Sequence, residues 1–231
     1  MIKAVFFDFF NTLVHYQPSR EQMYVDACAK YNIQVELKAI ALSLPNADTF
    51  WRDENRHNTV EKRNDEEKYS FYSEYFTRVL NGAGIKVSKE LIFTIFAKMR
   101  QMNWDFYTFD DSLTTMKLLK DRSLILGLIS NVGQNMEKTF NDLGLQPYLD
   151  FNVTSFEVGC EKPQPEIFQA ALHKSRLNPE EAVYVGDQYE LDVIGSRNLG
   201  MKAILLDRNN WFPQITDCPR IRSLTEITQH I

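Results

Sequence analysis

Four short stretches of this chain carry reactive side chains at or just beyond apolar runs: Asp8 in FFDFFNTLV, Ser130 in ISN, Lys162 in EKPQP, and Asp187 and Asp192 in GDQYELD. The residue types define the chemistry on offer. Asp8 and Asp187 supply hard oxygen donors of the kind magnesium prefers. Asp8, Asp187 and Asp192 gathered in one place would repel one another until a cation relieved them. Ser130 and the backbone amide of Asn131 offer hydrogen bonds to a developing anion, and Lys162 offers a compensating charge. Each residue alone has a plainer reading: Asp8 as a cap, Ser130 as a loop hydroxyl, Lys162 as a surface lysine, Asp187 as a turn residue. Their shared position joins them, because open α/β sheets bind ligands beyond the carboxyl ends of their strands.

The elements that must position these residues follow from hydrophobic patterning. Short runs rich in β-branched and aromatic residues at 2–7, 124–129, 151–154, 182–185 and 202–206 read as five buried strands. Helical patterns lie between them at 112–120, at 135–143 ended by Gly144, at 165–174 with proline near the start, and at 191–199 ended by Gly200. Strands alternating with helices imply a parallel sheet covered on both faces, an α/β class. Residues 16–105 behave differently, with no convincing strand. Tyr69, Tyr72, Phe76 and Val79 form one helical stripe, and Leu91, Ile92, Ile95, Phe96 and Met99 another. The expected organisation is a core from residues 1–15 and 106–231, interrupted by an all-helical insertion at 16–105. Gly82 and Gly84 are expected to turn the chain between two helices of the insertion, and residues 61–68 to form a solvated helix face.

A chain of 231 residues that is 44% hydrophobic can bury a sizeable core. Its net charge of -5 opposes broad attraction to nucleic acid or an anionic membrane, so an anionic substrate must be drawn by a local cation. Cys28, Cys160 and Cys218 are odd in number and form no Cys-x-x-Cys spacing, which suits reduced thiols. The apolar start is broken by Asp8 and lacks a small-residue cleavage site. A cytoplasmic protein is the expectation, with a small-molecule partner and no nucleic acid or membrane.

The four stretches, in this order, resemble the motifs of the haloacid dehalogenase superfamily, subfamily I type with a helical C1 cap. The resemblance implies a Rossmann-like three-layer α/β/α core with a parallel sheet, and a helical cap inserted after the first motif. It implies that Asp8 is a nucleophile and that Mg2+ is the cofactor, held by Asp8, Asp187 and the main-chain carbonyl of Phe10, with Asp192 as a ligand or an orienting acid. Ser130, Asn131 and Lys162 would contact the transferring group, and Thr12 would position that group or Asp8. The expected substrate is a phosphorylated small molecule.

One departure bears on the reaction. The family's hydrolytic pattern is Asp-x-Asp-x-Thr, whereas Asp8-Phe9-Phe10-Asn11-Thr12 has Phe10 at the second acid, which in the family protonates the leaving oxygen and activates water. General acid and base assistance contributes roughly 10² to 10⁴ in rate, so slow phosphate monoester hydrolysis through an aspartyl-phosphate on Asp8 is the leading expectation. His15 is the neighbouring residue of a type able to act as acid or base, although a solvent-exposed loop position is its expected role. Hydrolysis of a 2-haloacid is the first rival, because halide leaves without a proton and the family's dehalogenases also carry an aromatic residue at Phe10. A phosphonoacetaldehyde-cleaving branch would need a cap lysine, for which Lys30, Lys38 and Lys98 are available. The last alternative is a non-catalytic metal- or phosphate-binding regulatory module. Asp187 favours magnesium and phosphate, because the dehalogenases generally lack that acid.

Overall fold

The computed structural model describes residues 1–55, 60, 63–132 and 134–231. They form two compact units, Met1–Tyr16 with Phe106–Ile231, and Gln17–Asp105.

The first unit is built on a six-stranded parallel sheet: β1 (Ala4–Phe7), β4 (Ile125–Ser130), β5 (Phe151–Thr154), β6 (Ala182–Gly186), β7 (Lys202–Leu206) and β8 (Arg220–Ile221), in the order β5-β4-β1-β6-β7-β8. β1 is central, pairing Phe7 with Leu128 of β4 and with Val185 of β6. Alternation along β1 sends Val5 and Phe7 into one apolar layer and Ala4 and Phe6 into the other. The first layer is closed by Met116 and Leu119 of α5 (Ser112–Asp121) and Phe140 of α6 (Glu137–Asp142). Ile167, Phe168, Ala171 and Leu172 of α8 (Pro165–Ser175) close the second. Both faces are covered, which accounts for the nearly unbroken apolar strands and bears out the expected α/β class. A short turn, α7 (Ser155–Val158), follows β5.

Five strands were legible in the patterning; β8 was not, because two residues carry no period. Val14–Gln17 (β2) and Asp105–Thr108 (β3) pair as a separate two-stranded ribbon, so the end of the expected insertion is extended where a helix was expected. The helix expected at 191–199 opens as a wide turn of π type at Tyr189–Ile194 and tightens only over α9 (Gly195–Arg197). Its cause is local: Asp192 turns its side chain back onto the Gln188 amide. α6 begins at Glu137, later than patterning suggests, because the Asn135 side chain accepts from the Glu137 amide and acts as a cap outside the helix.

The second unit holds α1 (Arg20–Ala29), α2 (Leu37–Asn55), α3 (Asp65–Gly82) and α4 (Lys89–Met99) around Ile40, Leu44, Phe76, Val79, Leu80, Ile92 and Ile95. Gly82 ends α3, where a β-carbon would stand 2.7 Å from that of Ser43, and Gly84 turns the chain at φ 84°. Tyr69 departs from its expected stripe: it is 42% exposed and rests on Phe93, while the buried face of α3 runs through Phe71, Tyr75 and Phe76. Of the expected solvated stretch 61–68, Glu61 and Lys62 lie outside the described residues. Asp65, Glu66 and Glu67 are exposed, but Arg63 is buried, stacking 4.2 Å over Phe71 and bonding to the Glu54 carbonyl. Among the described residues, no helix is long and apolar enough to cross a membrane.

Candidate active site

Three residues of the site stand where a strand of the first unit ends, while Lys162 comes from the loop before α8 and Asp192 from the turn after β6. Asp8 follows β1, and its amide donates to the Val185 carbonyl at 2.9 Å, tying it to the end of β6. Ser130 closes β4, and Asp187 follows Gly186, the last residue of β6. The strand register thus brings together residues that are distant in sequence. Asp8, Asp187 and Asp192 offer carboxylate oxygens that all lie within 4.8 Å of one another.

Lys162 is the hub, 2% exposed. Its Nζ donates to Asp8 Oδ1 at 2.5 Å, Asp192 Oδ1 at 2.7 Å and the Tyr184 hydroxyl at 2.9 Å. An ammonium has three N–H bonds, so all are committed. The main chain of Lys162 is latched by Asn131, whose Oδ1 accepts from the Lys162 amide at 2.7 Å and whose Nδ2 donates to the Lys162 carbonyl at 3.1 Å. Asp192 is likewise committed, with Oδ2 accepting from the Gln188 amide at 2.9 Å. A β-carbon at Gly186 would fall 2.2 Å from that same Oδ2, so the glycine before Asp187 lets the Asp192 carboxylate in.

Two oxygens of this cluster, Asp8 Oδ2 and Asp187 Oδ1, are buried without a hydrogen-bond partner, as are the hydroxyls of Thr12, in the loop after Asp8, and of Ser130, at the end of β4. Buried polar atoms are nearly always paired, so two carboxylate acceptors left free in one cluster make room for a ligand with donors or positive charge to offer. The electrostatics agree. Burial raises the Asp8 carboxyl from 3.8 to about 6, against the pull of Lys162 and with a push from Asp192. Asp187 is held well above its ordinary value by burial, then by Asp8 and Asp192. Burial works against the Lys162 ammonium, but Asp192 and Asp8 outweigh it and raise its pKa. Three carboxylates against one ammonium leave negative charge that a cation would balance, and the free oxygens of Asp8 and Asp187 are the hard donors magnesium takes.

Of the residues expected at the site, Asp8, Lys162, Asp187 and Asp192 bring their side chains into this cluster, and Asn131 holds the Lys162 main chain. The Phe10 ring lies among aromatics, 5.2 Å from Tyr16 and stacked on it, and 5.3 Å from Phe106. His15 is half-buried in β2 rather than in an exposed loop, its ring packed on Phe109 at 4.8 Å. One residue was missed. Tyr184 takes a hydrogen bond from Lys162 and donates one to the Ile129 carbonyl at 3.2 Å; the hint was a lone hydroxyl in an otherwise apolar strand. Asn11, at φ 57°, turns the loop in the left-handed region, which asparagine tolerates.

The family model for haloacid dehalogenase-like hydrolases matches residues 2–200. This chain belongs to that family. Among related sequences, haloacid dehalogenase-like hydrolase domain-containing protein 3 of Mus musculus is 40% identical over 92 residues, 40% of this chain and 37% of that protein. Glyceraldehyde 3-phosphate phosphatase of Methanothermobacter thermautotrophicus is 40% identical over 101 residues, 43% of this chain and 44% of that one. Each of these two matches spans less than half of the relative's length. Among solved structures, the HAD phosphatase from Thermococcus onnurineus aligns with a TM-score of 0.56 at 24% identity, covering 99% of this chain and 97% of that one. The 2-haloacid dehalogenase from Pseudomonas syringae pv. Tomato DC3000 also aligns at 0.56, with 20% identity and 99% and 97% coverage. Likeness at this level establishes the shared haloacid dehalogenase fold, which phosphatases and dehalogenases both use.

Proposed function

We propose that this haloacid dehalogenase-like hydrolase is a magnesium-dependent phosphatase that cleaves small phosphate esters through an aspartyl-phosphate on Asp8. The observation that carries the reading is the pair of buried, unpartnered carboxylate oxygens in one cluster, Asp8 Oδ2 and Asp187 Oδ1, with the unpartnered hydroxyls of Ser130 and Thr12 available on the segments that end β4 and follow Asp8. The local likeness to a glyceraldehyde 3-phosphate phosphatase supports it.

In this reading an Asp8 oxygen attacks phosphorus, the bond to the leaving oxygen breaks, and water then releases phosphate from Asp8. Magnesium, held by Asp8, Asp187 and the Phe10 carbonyl, would neutralise charge and orient the phosphoryl oxygens. Lys162 holds Asp8 in place and balances its charge, Asp192 and Tyr184 fix Lys162, and Asn131 fixes its backbone. Ser130 and Thr12 have hydroxyls to give to the phosphoryl group. The phenyl ring of Phe10 can neither protonate a leaving oxygen nor activate water, which favours esters whose oxygen leaves as a stable anion. The helical unit at Gln17–Asp105, inserted between the Asp8 loop and the rest of the core, is the cap of this proposal and the part that would select the substrate.

A specific observation favours a second reading: Phe10 is aromatic and packed among aromatics, as suits carbon–halogen hydrolysis, where the leaving halide needs no proton. A paired assay separates the two. The expected result is release of phosphate from an aryl phosphate that requires magnesium and is lost in Asp8→Asn. Metal-independent chloride release from 2-chloropropionate would transfer the assignment to the dehalogenases, and no turnover of either would favour a binding module.

A further inference from the structure

The loop that carries Asp8 and Thr12 is gripped from the opposite end of the chain. Arg208, two residues past β7, donates from Nη2 to the Thr12 carbonyl at 2.9 Å across 196 positions of sequence. The same guanidinium forks onto Asp111, with Nη1 to Oδ2 and Nη2 to Oδ1 both at 2.9 Å, and lies 3.8 Å over the Phe109 ring. Asp111 is itself fixed by the Ser223 hydroxyl at 2.7 Å and the Leu224 amide at 2.9 Å. Burial works against the Asp111 carboxylate, but the bonds from Arg208 and Ser223 outweigh it and hold its pKa down.

Nothing in this arrangement touches the acid cluster, yet it acts on the loop that forms part of it. Within the loop, the Leu13 and Val14 amides both donate to the Phe9 carbonyl, at 3.0 and 3.1 Å, and the Asn11 amide donates to the Val14 carbonyl at 2.6 Å. The Ser112 hydroxyl and the Phe109 amide take the Leu13 carbonyl at 2.7 and 3.1 Å. The Thr12 carbonyl is the remaining anchor of that turn, and Arg208 supplies it while leaving its own buried Nε without a partner. An arginine that served only to pair with Asp111 would have no need of such an orientation.

We infer that Arg208 is a positioning residue, which by holding the Thr12 carbonyl sets the loop that presents Asp8 and the Thr12 hydroxyl. Its catalytic consequence rests on the phosphatase reading; its mechanical part does not. A misplacement of about 1 Å costs on the order of 100-fold in rate, so a slack loop has a kinetic signature.

The test compares Arg208→Gln and the conservative Arg208→Lys with Arg220→Gln, which removes a nearby ion pair to Asp207 without reaching the loop. Amide hydrogen exchange of Leu13 and Val14 should quicken about tenfold or more in the Arg208 variants, least in the lysine form, and stay unchanged in Arg220→Gln. On an aryl phosphate with saturating magnesium, kcat should fall roughly 10- to 100-fold in Arg208→Gln with KM within about threefold, and Arg208→Lys should recover part of it. Unchanged loop exchange, or equal quickening in Arg220→Gln, would overturn the mechanical inference; quickened exchange with wild-type kcat would overturn the catalytic one. If Arg208→Gln does not fold, Arg208→Lys carries both readouts. Silence of the wild-type enzyme on every phosphate ester would sink the phosphatase reading and the kinetic consequence, leaving the exchange result to decide the anchor.

Discussion

Each unit of this protein contains a network of charged and hydroxyl groups, and the two are finished differently. In the helical unit, Arg20 forks onto Asp48 at 3.2 and 2.9 Å and donates to the Tyr75 hydroxyl at 2.6 Å, which donates in turn to Asp48 at 2.7 Å. In that ring the cation and the anion meet directly, and among the described residues no atom of the three side chains is buried without a partner. In the core unit three clustered carboxylates are set against one ammonium, and two of their buried oxygens, Asp8 Oδ2 and Asp187 Oδ1, are left over. A network whose buried atoms are partnered has done its work when the chain folds, whereas one that leaves buried acceptors over can still take a ligand.

The contrast can be broken most sharply at Asp8. Asp8→Asn should abolish phosphate release, a loss of about 10⁴-fold or more, while the protein stays folded, because the amide removes a carboxylate that burial disfavours. Initial-rate and thermal-melt measurements on one preparation check both halves. Next in size is the loss of the two cations. Lys162→Met leaves buried carboxylates uncompensated and should cost about 3–5 kcal/mol in denaturant unfolding, whereas Arg20→Met, in a half-exposed ring where Asp48 keeps the tyrosine, should cost only about 1–2 kcal/mol. Equal costs would remove the distinction between the networks.

Phe10→Asp sharpens the comparison from the chemical side. It should raise turnover of alkyl over aryl phosphates about 10- to 100-fold by restoring an acid, and should lower stability by about 1–3 kcal/mol by setting a carboxyl against Tyr16 and Phe106. The smallest effect is that of pH. The folded value of Asp8 lies near 6, above its ordinary 3.8, so the metal-free protein binds more protons folded than unfolded across that window and loses stability as pH rises through it. Magnesium needs the ionised carboxylate, so its stabilisation should be full above about pH 6 and fade below, with affinity about tenfold weaker at pH 5 than at pH 7.5. Calorimetric titration at the two pH values is the measurement, and an acid-insensitive affinity would argue against Asp8 as a ligand.

Much of this was legible before any coordinates. The apolar runs around Asp8, Ser130 and Asp187 read as strand ends, and the sheet has them there, because a buried parallel strand needs an unbroken apolar face and its polar successor marks the edge. The helical insertion was legible as a loss of strand periodicity, but its junction was not: β2 and β3 are four residues each and pair across the whole insertion, a contact no local window contains.

By itself, then, the order of side chains determined which groups could do chemistry and on which elements they ride, since periodicity and turn chemistry act over a few residues. Only the tertiary structure decided which oxygens are committed and which are free. Lys162 spends all three of its N–H bonds on Asp8, Asp192 and Tyr184, Arg208 reaches Thr12 from the far end of the chain, and Asp187 keeps an oxygen unpaired. Those outcomes are settled by strand register and by burial, which raises the cost of every unpaired charge, and neither quantity exists until distant segments meet.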